Sequence, residues 1–162
     1  MDLASRTIFS LNNGILTFIA QVFNDPTLAI ALVLIFFLLF VWRKTDRASP
    51  IFVSLILVFL LIDPLKAFLN VSRPCLELAA KVPCPVDASM PSGHAVVSGI
   101  FLLASVATPF FPIVLPLSLF VSFSRVYLGI HTIADVAGGI AVGAAIYSLC
   151  DKAFAKYRRA VL

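Results

Sequence analysis

The sequence predicts an all-α, integral-membrane helical bundle, and three observations carry that expectation. Hydrophobic residues make up 61% of the 162-residue chain and charged residues only 12%, with a mean hydropathy of +1.07; a soluble domain carries about 25% charged and 45–50% apolar residues. The apolar residues gather in runs that approach the roughly 20 residues an α-helix needs to cross a bilayer. None of these runs alternates as a half-buried strand does, and helices are the economical way to satisfy a backbone inside lipid. A soluble globular enzyme and a disordered chain are both excluded by this composition. The length suits one unit, residues 1–162. The net charge of +4 reads as basic cytoplasmic ends and not as a nucleic-acid surface.

The elements follow in order. Residues 1–26 form an N-terminal segment read as retained, because Asp2 follows Met1 and no small-residue cleavage site follows an early apolar run. Within it Ile15 to Phe23 is apolar but short, and Asn12, Asn13, Gln21, Asn24 and Asp25 interrupt or flank it. An interfacial helix suits this pattern better than a further span. The helical core, residues 27–150, holds apolar runs from Thr27 to Trp42, from Pro50 to about Asn70, from His94 to Ala107, from Ile113 to about Ile130, and from Thr132 to Cys150. The sequence thus predicts five transmembrane helices, or six if the N-terminal segment crosses. Several runs are shorter than a full crossing, so flanking residues must complete them. Residues 151–162 read as a basic tail with Lys152, Lys156, Arg158 and Arg159.

Arg43, Lys44 and Arg47 lie between the first two spans, and counting crossings puts them on the same side as the basic tail. That side is read as cytoplasmic, in a cytoplasmic membrane. The polar stretch Val71 to Gly93 and the junction near His131 then face outward. Cys75 and Cys84 share that outward stretch. A disulfide between them would close a loop of roughly ten residues and contribute about 2–3 kcal/mol; two unpaired thiols are the alternative. Cys150 reads as a buried apolar side chain.

Charged residues in or at the ends of apolar runs demand a reason, since one at mid-bilayer costs about 2.5–3.5 kcal/mol on insertion scales. Lys66, Arg73, His94, Arg125, His131 and Asp135 all fall at the outward ends of the spans. Snorkelling accounts for one such residue, not for the set. Lys66 and Arg73 are seven residues apart and share a face if the helix continues. His131 and Asp135 stand at i, i+4 and can meet, a carboxylate that fixes the imidazole tautomer. Ser92 is a natural N-cap for a helix opening at Pro91-Ser92-Gly93-His94. Gly93 lets the backbone approach a ligand, and helix-start amides bind anions. Cations, free amides and imidazoles together describe a phosphoryl site. Alternatives exist for single residues. His94 alone suits a capped helix start. The two histidines could ligate haem, but three neighbouring cations fit an anion and not a porphyrin face. Asp63 with Pro64 reads as a kink bonded to a neighbouring helix, Tyr127 as an interface anchor, and Gly139 and Gly143 as a close-packing pair.

These residues resemble the three-part signature of the type 2 phosphatidic acid phosphatase family. K-x6-R-P is matched by Lys66 to Pro74, P-S-G-H by Pro91 to His94, and S-R-x5-H-x3-D by Ser124, Arg125, His131 and Asp135. The resemblance implies a membrane lipid phosphate or diphosphate phosphatase without metal or other cofactor. It implies that His131 is the nucleophile forming a phosphohistidine, that Asp135 holds its ring, and that His94 protonates the leaving oxygen and then activates water. Lys66, Arg73, Arg125, Ser92 and Gly93 would bind the phosphate oxygens. The short outer loop resembles small bacterial undecaprenyl diphosphate phosphatases. Phosphatidic acid, phosphatidylglycerophosphate and lipid A stay open as substrates, as do phosphotransfer to an acceptor other than water and a non-catalytic lipid-binding role. The expected partners are the lipid substrate and the bilayer, with no nucleic acid and no obligate protein partner.

Overall fold

A computed structural model describes residues 2–43 and 45–161, with only the backbone of Arg158, Ala160 and Val161. Lys44 of the first basic cluster therefore lies outside the described residues, as does the side chain of Arg158 in the second. The described residues form α1 (Leu3–Ser10), α2 (Gly14–Val22), α3 (Pro26–Trp42), α4 (Ala48–Leu69), a short 3-10 turn (Pro74–Leu76), α5 (Gly93–Ser105), α6 (Phe111–Tyr127) and α7 (Ile133–Val161). No strand occurs among them.

Polar residues start the N-terminal helices. Asp2 accepts from the Ser5 amide, Asn13 from that of Leu16, and Asp25 from those of Thr27 and Leu28; each satisfies amides that the first turn leaves unpaired. The segment read as one interfacial helix is two helices. α2 and α3 meet at an angle of 66° across Phe23-Asn24-Asp25, and α1 and α2 pack on α6. Ser5 of α1 accepts from the Ile133 amide at the start of α7 (2.9 Å). The N-terminus thus lies against the end of the bundle that carries the signature residues.

Two helices, Ala48–Leu69 and Ile133–Tyr157, are each long and apolar enough to cross a membrane, and the bent pair α2–α3 adds a third candidate. α5 and α6 have 13 and 17 residues, about 20 and 26 Å at 1.5 Å per residue, short of the roughly 30 Å hydrocarbon core. The expected basic tail is helical. α7 runs unbroken through Lys152 and Lys156 to Val161, because Ala153, Ala155 and the long basic side chains favour a helix and nothing stops one. Large apolar side chains cover the outer surface, with Phe59 and Phe68 more than four-fifths exposed, as suits lipid and not water.

α5 is the axis of the bundle. It is flanked by α7, α6 and α4, and Val96, Ile100, Phe101 and Ala104 are buried in one cluster with Phe40, Ile51, Val114 and Tyr147. Glycines set how closely α5 and α7 approach. A Cβ on Gly139 would stand 2.7 Å from the Ser92 carbonyl oxygen and 2.8 Å from the Ala95 Cβ. One on Gly143 would overlap the Val96 carbonyl, and one on Gly99 the Ile140 carbonyl. The G-x3-G spacing of Gly139 and Gly143 therefore does what it predicts, joined by Gly99 from the facing helix. Two other expectations are corrected and one open alternative is decided. Asp63 is exposed and makes no bond to a neighbouring helix among the described residues, and α4 continues across Pro64. Tyr127 is fully buried, not an interface anchor; its hydroxyl meets Thr17 Oγ1 at 2.7 Å and accepts from the Asn13 amide at 3.3 Å. Cys75 and Cys84 are joined as a disulfide.

Gly143→Leu tests the helix seam. Overpacking a tight contact costs about 1–3 kcal/mol, so the thermal midpoint in detergent should fall by about 2–10 °C. Leu149→Ala, on a side chain 68% exposed, should leave it unchanged. A Gly143→Leu protein melting with wild type would contradict the seam.

Candidate active site

The end of α4 brings the first cation. Lys66 sits in the last turn and is buried to 8% exposure. Asn70 then adopts the left-handed conformation (φ 45°) and its amide closes on the Lys66 carbonyl at 2.8 Å, a helix stop that asparagine tolerates. The helix therefore does not carry Arg73 two turns on, and the expected shared face does not form. Arg73 instead stands in an extended segment (φ −79°, ψ 144°), the conformation that a following proline imposes. Lys66 and Arg73 meet nonetheless, on Asp87. Oδ2 of Asp87 accepts from Lys66 Nζ, and Oδ1 accepts from Arg73 Nη2 at 2.7 Å. The Asp87 backbone carbonyl also accepts from Arg73 Nε at 2.8 Å. Burial alone raises the Asp87 carboxyl, but the bonds from Lys66 and Arg73 outweigh it and hold the group below the usual carboxylate range.

Arg73 links this pair to His131. Its Nη1 donates to the Ile130 carbonyl at 3.0 Å and lies 3.2 Å from His131 Nε2. The other ring nitrogen faces Ser89, with Oγ 3.3 Å from Nδ1. The Ser89 hydroxyl proton is committed to Asp135 Oδ2 at 2.6 Å. Ser89 Oγ can therefore only accept from His131, which places the ring proton on Nδ1 and leaves Nε2 with its lone pair toward Arg73. The expected direct contact of His131 with Asp135 is looser than the spacing implied, at 3.7 Å; the Ser89 hydroxyl mediates it. Asp135 has a second duty. Its Oδ2 accepts from the Thr132 amide at 2.7 Å while Thr132 Oγ1 accepts from the Asp135 amide at 3.2 Å, a capping box that starts α7. The same carboxylate thus fixes the helix start and the imidazole. Burial pushes the His131 imidazole below its usual range, with Asp135 opposing and Arg73 adding to the effect, so the ring is neutral at pH 7.

α5 opens beside these groups. Ser92 is its N-cap, yet the Ser92 hydroxyl makes no capping bond and is buried without a partner. His94 Nε2 is likewise buried and unpartnered. A Cβ on Gly93 would meet nothing within 4 Å, so a glycine here is not demanded by packing and the backbone faces open space. The Ser92 amide donates to the Asp135 carbonyl at 3.1 Å, which ties the start of α5 to the first turn of α7. Arg125, fully buried at the end of α6, does not touch the Lys66–Arg73 pair. Its Nη1 donates to Asn24 Oδ1 at 2.8 Å, and Nε and Nη2 lean on Ser124 Oγ at 3.1 and 3.0 Å. Its charge and that of Lys66 both bear on His94. The signature residues therefore gather at one end of the bundle in two groups: Lys66, Arg73, His131 and Asp135 in a bonded chain, with Ser92, Gly93, His94 and Arg125 beside it.

Sequence reasoning missed three members. Asp87 was one acidic residue in a polar loop; the cations expected nearby were the signal that it had partners. Ser89 precedes P-S-G-H and carries no spacing signal of its own. Asn24 stands in the sequence only as an interruption of an apolar run. Next to His94 an apolar cavity of about 350 Å³ opens between α3, α5 and α6, with Phe23, Ile30, Phe101 and Leu117 in its walls and Gly93 and His94 at its edge. Among the described residues no three His, Cys, Asp or Glu side chains are placed to hold a metal ion.

None of the curated proteins compared matches the chain. Among solved structures, it is similar to LpxE from Aquifex aeolicus, with 21% identity and a TM-score of 0.76 over 92% of this chain and 93% of that one. It is also similar to the first transmembrane PAP2 type phosphatidylglycerolphosphate phosphatase from Bacillus subtilis, with 23% identity and a TM-score of 0.72 over 94% of this chain and 83% of that one. At these identities the likeness is one of fold, and with the long apolar helices it makes the chain a membrane protein. Residues 47–159, which include every signature position, match the PAP2 superfamily, and the chain belongs to that family.

Proposed function

We propose that the protein is a lipid phosphate phosphatase acting through a phosphohistidine at His131. One observation carries this reading: Nε2 of the buried His131 imidazole lies 3.2 Å from Arg73 Nη1, while Ser89 and Asp135 occupy the opposite nitrogen. That is the arrangement of a nucleophile whose developing positive charge has a carboxylate behind it. His131 Nε2 attacks phosphorus, and the bond from phosphorus to the leaving oxygen breaks as His94 gives that oxygen a proton. Water then attacks the phosphohistidine, His94 takes its proton, and the P–N bond breaks to free phosphate. Lys66, Arg73 and Arg125 supply positive charge to the phosphate oxygens, and the free Ser92 hydroxyl and Gly93 amide supply donors.

The apolar cavity beside His94 supports a lipid as the carrier of that phosphate, its tail between α3, α5 and α6 and its headgroup at the cations. A long-tailed isoprenoid diphosphate such as undecaprenyl diphosphate is the proposed substrate, supported by the small chain and its short outer loop. Phosphatidylglycerophosphate is the second reading, favoured by the similarity in fold to the Bacillus subtilis protein of that description. The site is proposed to face outward from the cytoplasmic membrane, with α7 ending in the cytoplasm, since Arg43, Arg47, Lys152 and Lys156 stand at helix ends away from it.

Purified protein in detergent should release phosphate from lipid phosphates or diphosphates in the presence of a metal chelator, and His131→Ala should lower turnover by about a thousandfold or more. No release from any member of a panel of lipid phosphates would leave a lipid-binding protein as the better account. Asn24 offers a separate check. Asn24→Ala removes the acceptor that orients Arg125, a loss of about 1–3 kcal/mol for a buried charged bond, and should raise KM for the lipid about tenfold with kcat less affected. Asn24→Gln should recover part of the loss. Equal kinetics in Asn24→Ala and wild type would remove Arg125 from substrate binding.

A further inference from the structure

The two cations nearest His131 are already bridged. Asp87 presents one carboxylate oxygen to Lys66 and the other to Arg73, the way two oxygens of a phosphate would meet the same pair. A phosphate and this carboxylate cannot both hold them. The geometry also shows how the carboxylate could leave. Its side chain is 44% exposed, against 10% for Lys66 and 4% for Arg73, so it lies on the open side of both cations. Its loop does not depend on the bridge, because the Asp87 carbonyl accepts from Arg73 Nε and the nearby Ser89 amide donates to the Val71 carbonyl at 2.8 Å. A turn of the side chain frees both cations and leaves the backbone in place.

We propose that Asp87 is a built-in competitor for the phosphate cradle: its carboxylate holds Lys66 and Arg73 between turnovers, yields them to an incoming phosphate, and retakes them as inorganic phosphate departs. This rests on the reading of the site as a phosphatase. The consequence is arithmetic. If the cradle is bridged about 90% of the time, every phosphate ligand binds about tenfold more weakly than it would to the open cradle. The factor is common to substrate and product, because both must displace the same carboxylate. The benefit falls on the product. Inorganic phosphate has no tail to hold it in the apolar cavity, so the returning carboxylate clears it, while a lipid substrate keeps the binding energy of its tail.

Equilibrium binding of inorganic phosphate to the purified full-length chain in detergent tests this without requiring turnover. Asp87→Asn, which keeps the shape and removes the charge, should bind phosphate about tenfold more tightly than wild type. Asp87→Ala, which keeps the backbone carbonyl bond to Arg73, should do the same and guards against a local effect of the amide. Asp87→Glu should stay near wild type. In hydrolysis assays the Asn variant should be inhibited by inorganic phosphate at correspondingly lower concentrations. Equal or weaker phosphate binding by both the Asn and Ala variants, or no binding by any of the proteins, overturns the proposal. Equal or weaker binding would mean that Asp87 holds the cations in place for the ligand instead of competing with it. Tighter binding in a protein that hydrolyses no lipid phosphate would sink the phosphatase reading and keep the competitor. Hydrolysis without tighter binding would do the reverse.

Discussion

The backbone contact between α5 and α7 is the constraint on which the site depends. Three glycines, Gly99, Gly139 and Gly143, bring the two helices to a separation that no Cβ would permit. At the top of that seam the Ser92 amide reaches the Asp135 carbonyl. Helix association in lipid has no hydrophobic drive between spans, so close packing of small residues has to supply it. The same closeness puts the start of α5, with His94 and its open Gly93, beside the start of α7, with His131 and Asp135. A wider crossing would separate the two imidazoles. Packing and chemistry are therefore one requirement in this chain.

Buried charge in this site is accommodated by specific partners. Isolated cations in a desolvated site are costly, and each must find partners. Arg73 is satisfied by Asp87 and by the Ile130 carbonyl. Among the described residues no carboxylate is bonded to Arg125; neutral oxygens from Asn24 and Ser124 hold it. Each guanidinium nitrogen has a neutral partner, and the charge is left unpaired. Asp87 and Asp135 are the acidic groups bonded within this cluster, and Asp135 is committed to Ser89, Thr132 and the His131 ring. The result is a site with excess positive charge and pre-oriented donors, which suits the phosphoryl group of the proposed reaction.

Much of this was legible in the sequence, for identifiable reasons. Apolar runs mark helices because lipid leaves the backbone no other partner, so α3 to α6 begin and end within a few residues of the runs that predict them. The signature residues were legible because their types and spacing carry chemistry. What was not legible is the route by which the chain brings them together. Arg73 was expected on the face of Lys66, but a left-handed Asn70 ends the helix and Pro74 extends the chain, and neither effect shows in a count of seven residues. Ser89 and Asp87 act from an irregular loop, where no periodicity fixes direction. Asn24 lies at a break between two helices, and its partner Arg125 is 101 residues away. Tyr127 looked like an interfacial aromatic because it ends a span; the N-terminal helices that bury it have weak patterns of their own. The Thr132 to Asp135 spacing is itself a capping-box signal and assigns a helical role to Asp135.

The most direct test of the account is to catch phosphorus on the ring that it names. Protein quenched in alkali during turnover of a lipid phosphate, conditions that preserve a phosphoramidate bond, can be digested and sequenced by mass spectrometry. The account predicts phosphate on His131 in the wild type and, with slower turnover, on the same residue in His94→Ala, which lacks the acid of the first step and the base of the second. Phosphate on His94, or hydrolysis that proceeds at full rate with no phosphorylated histidine in either protein, would contradict it.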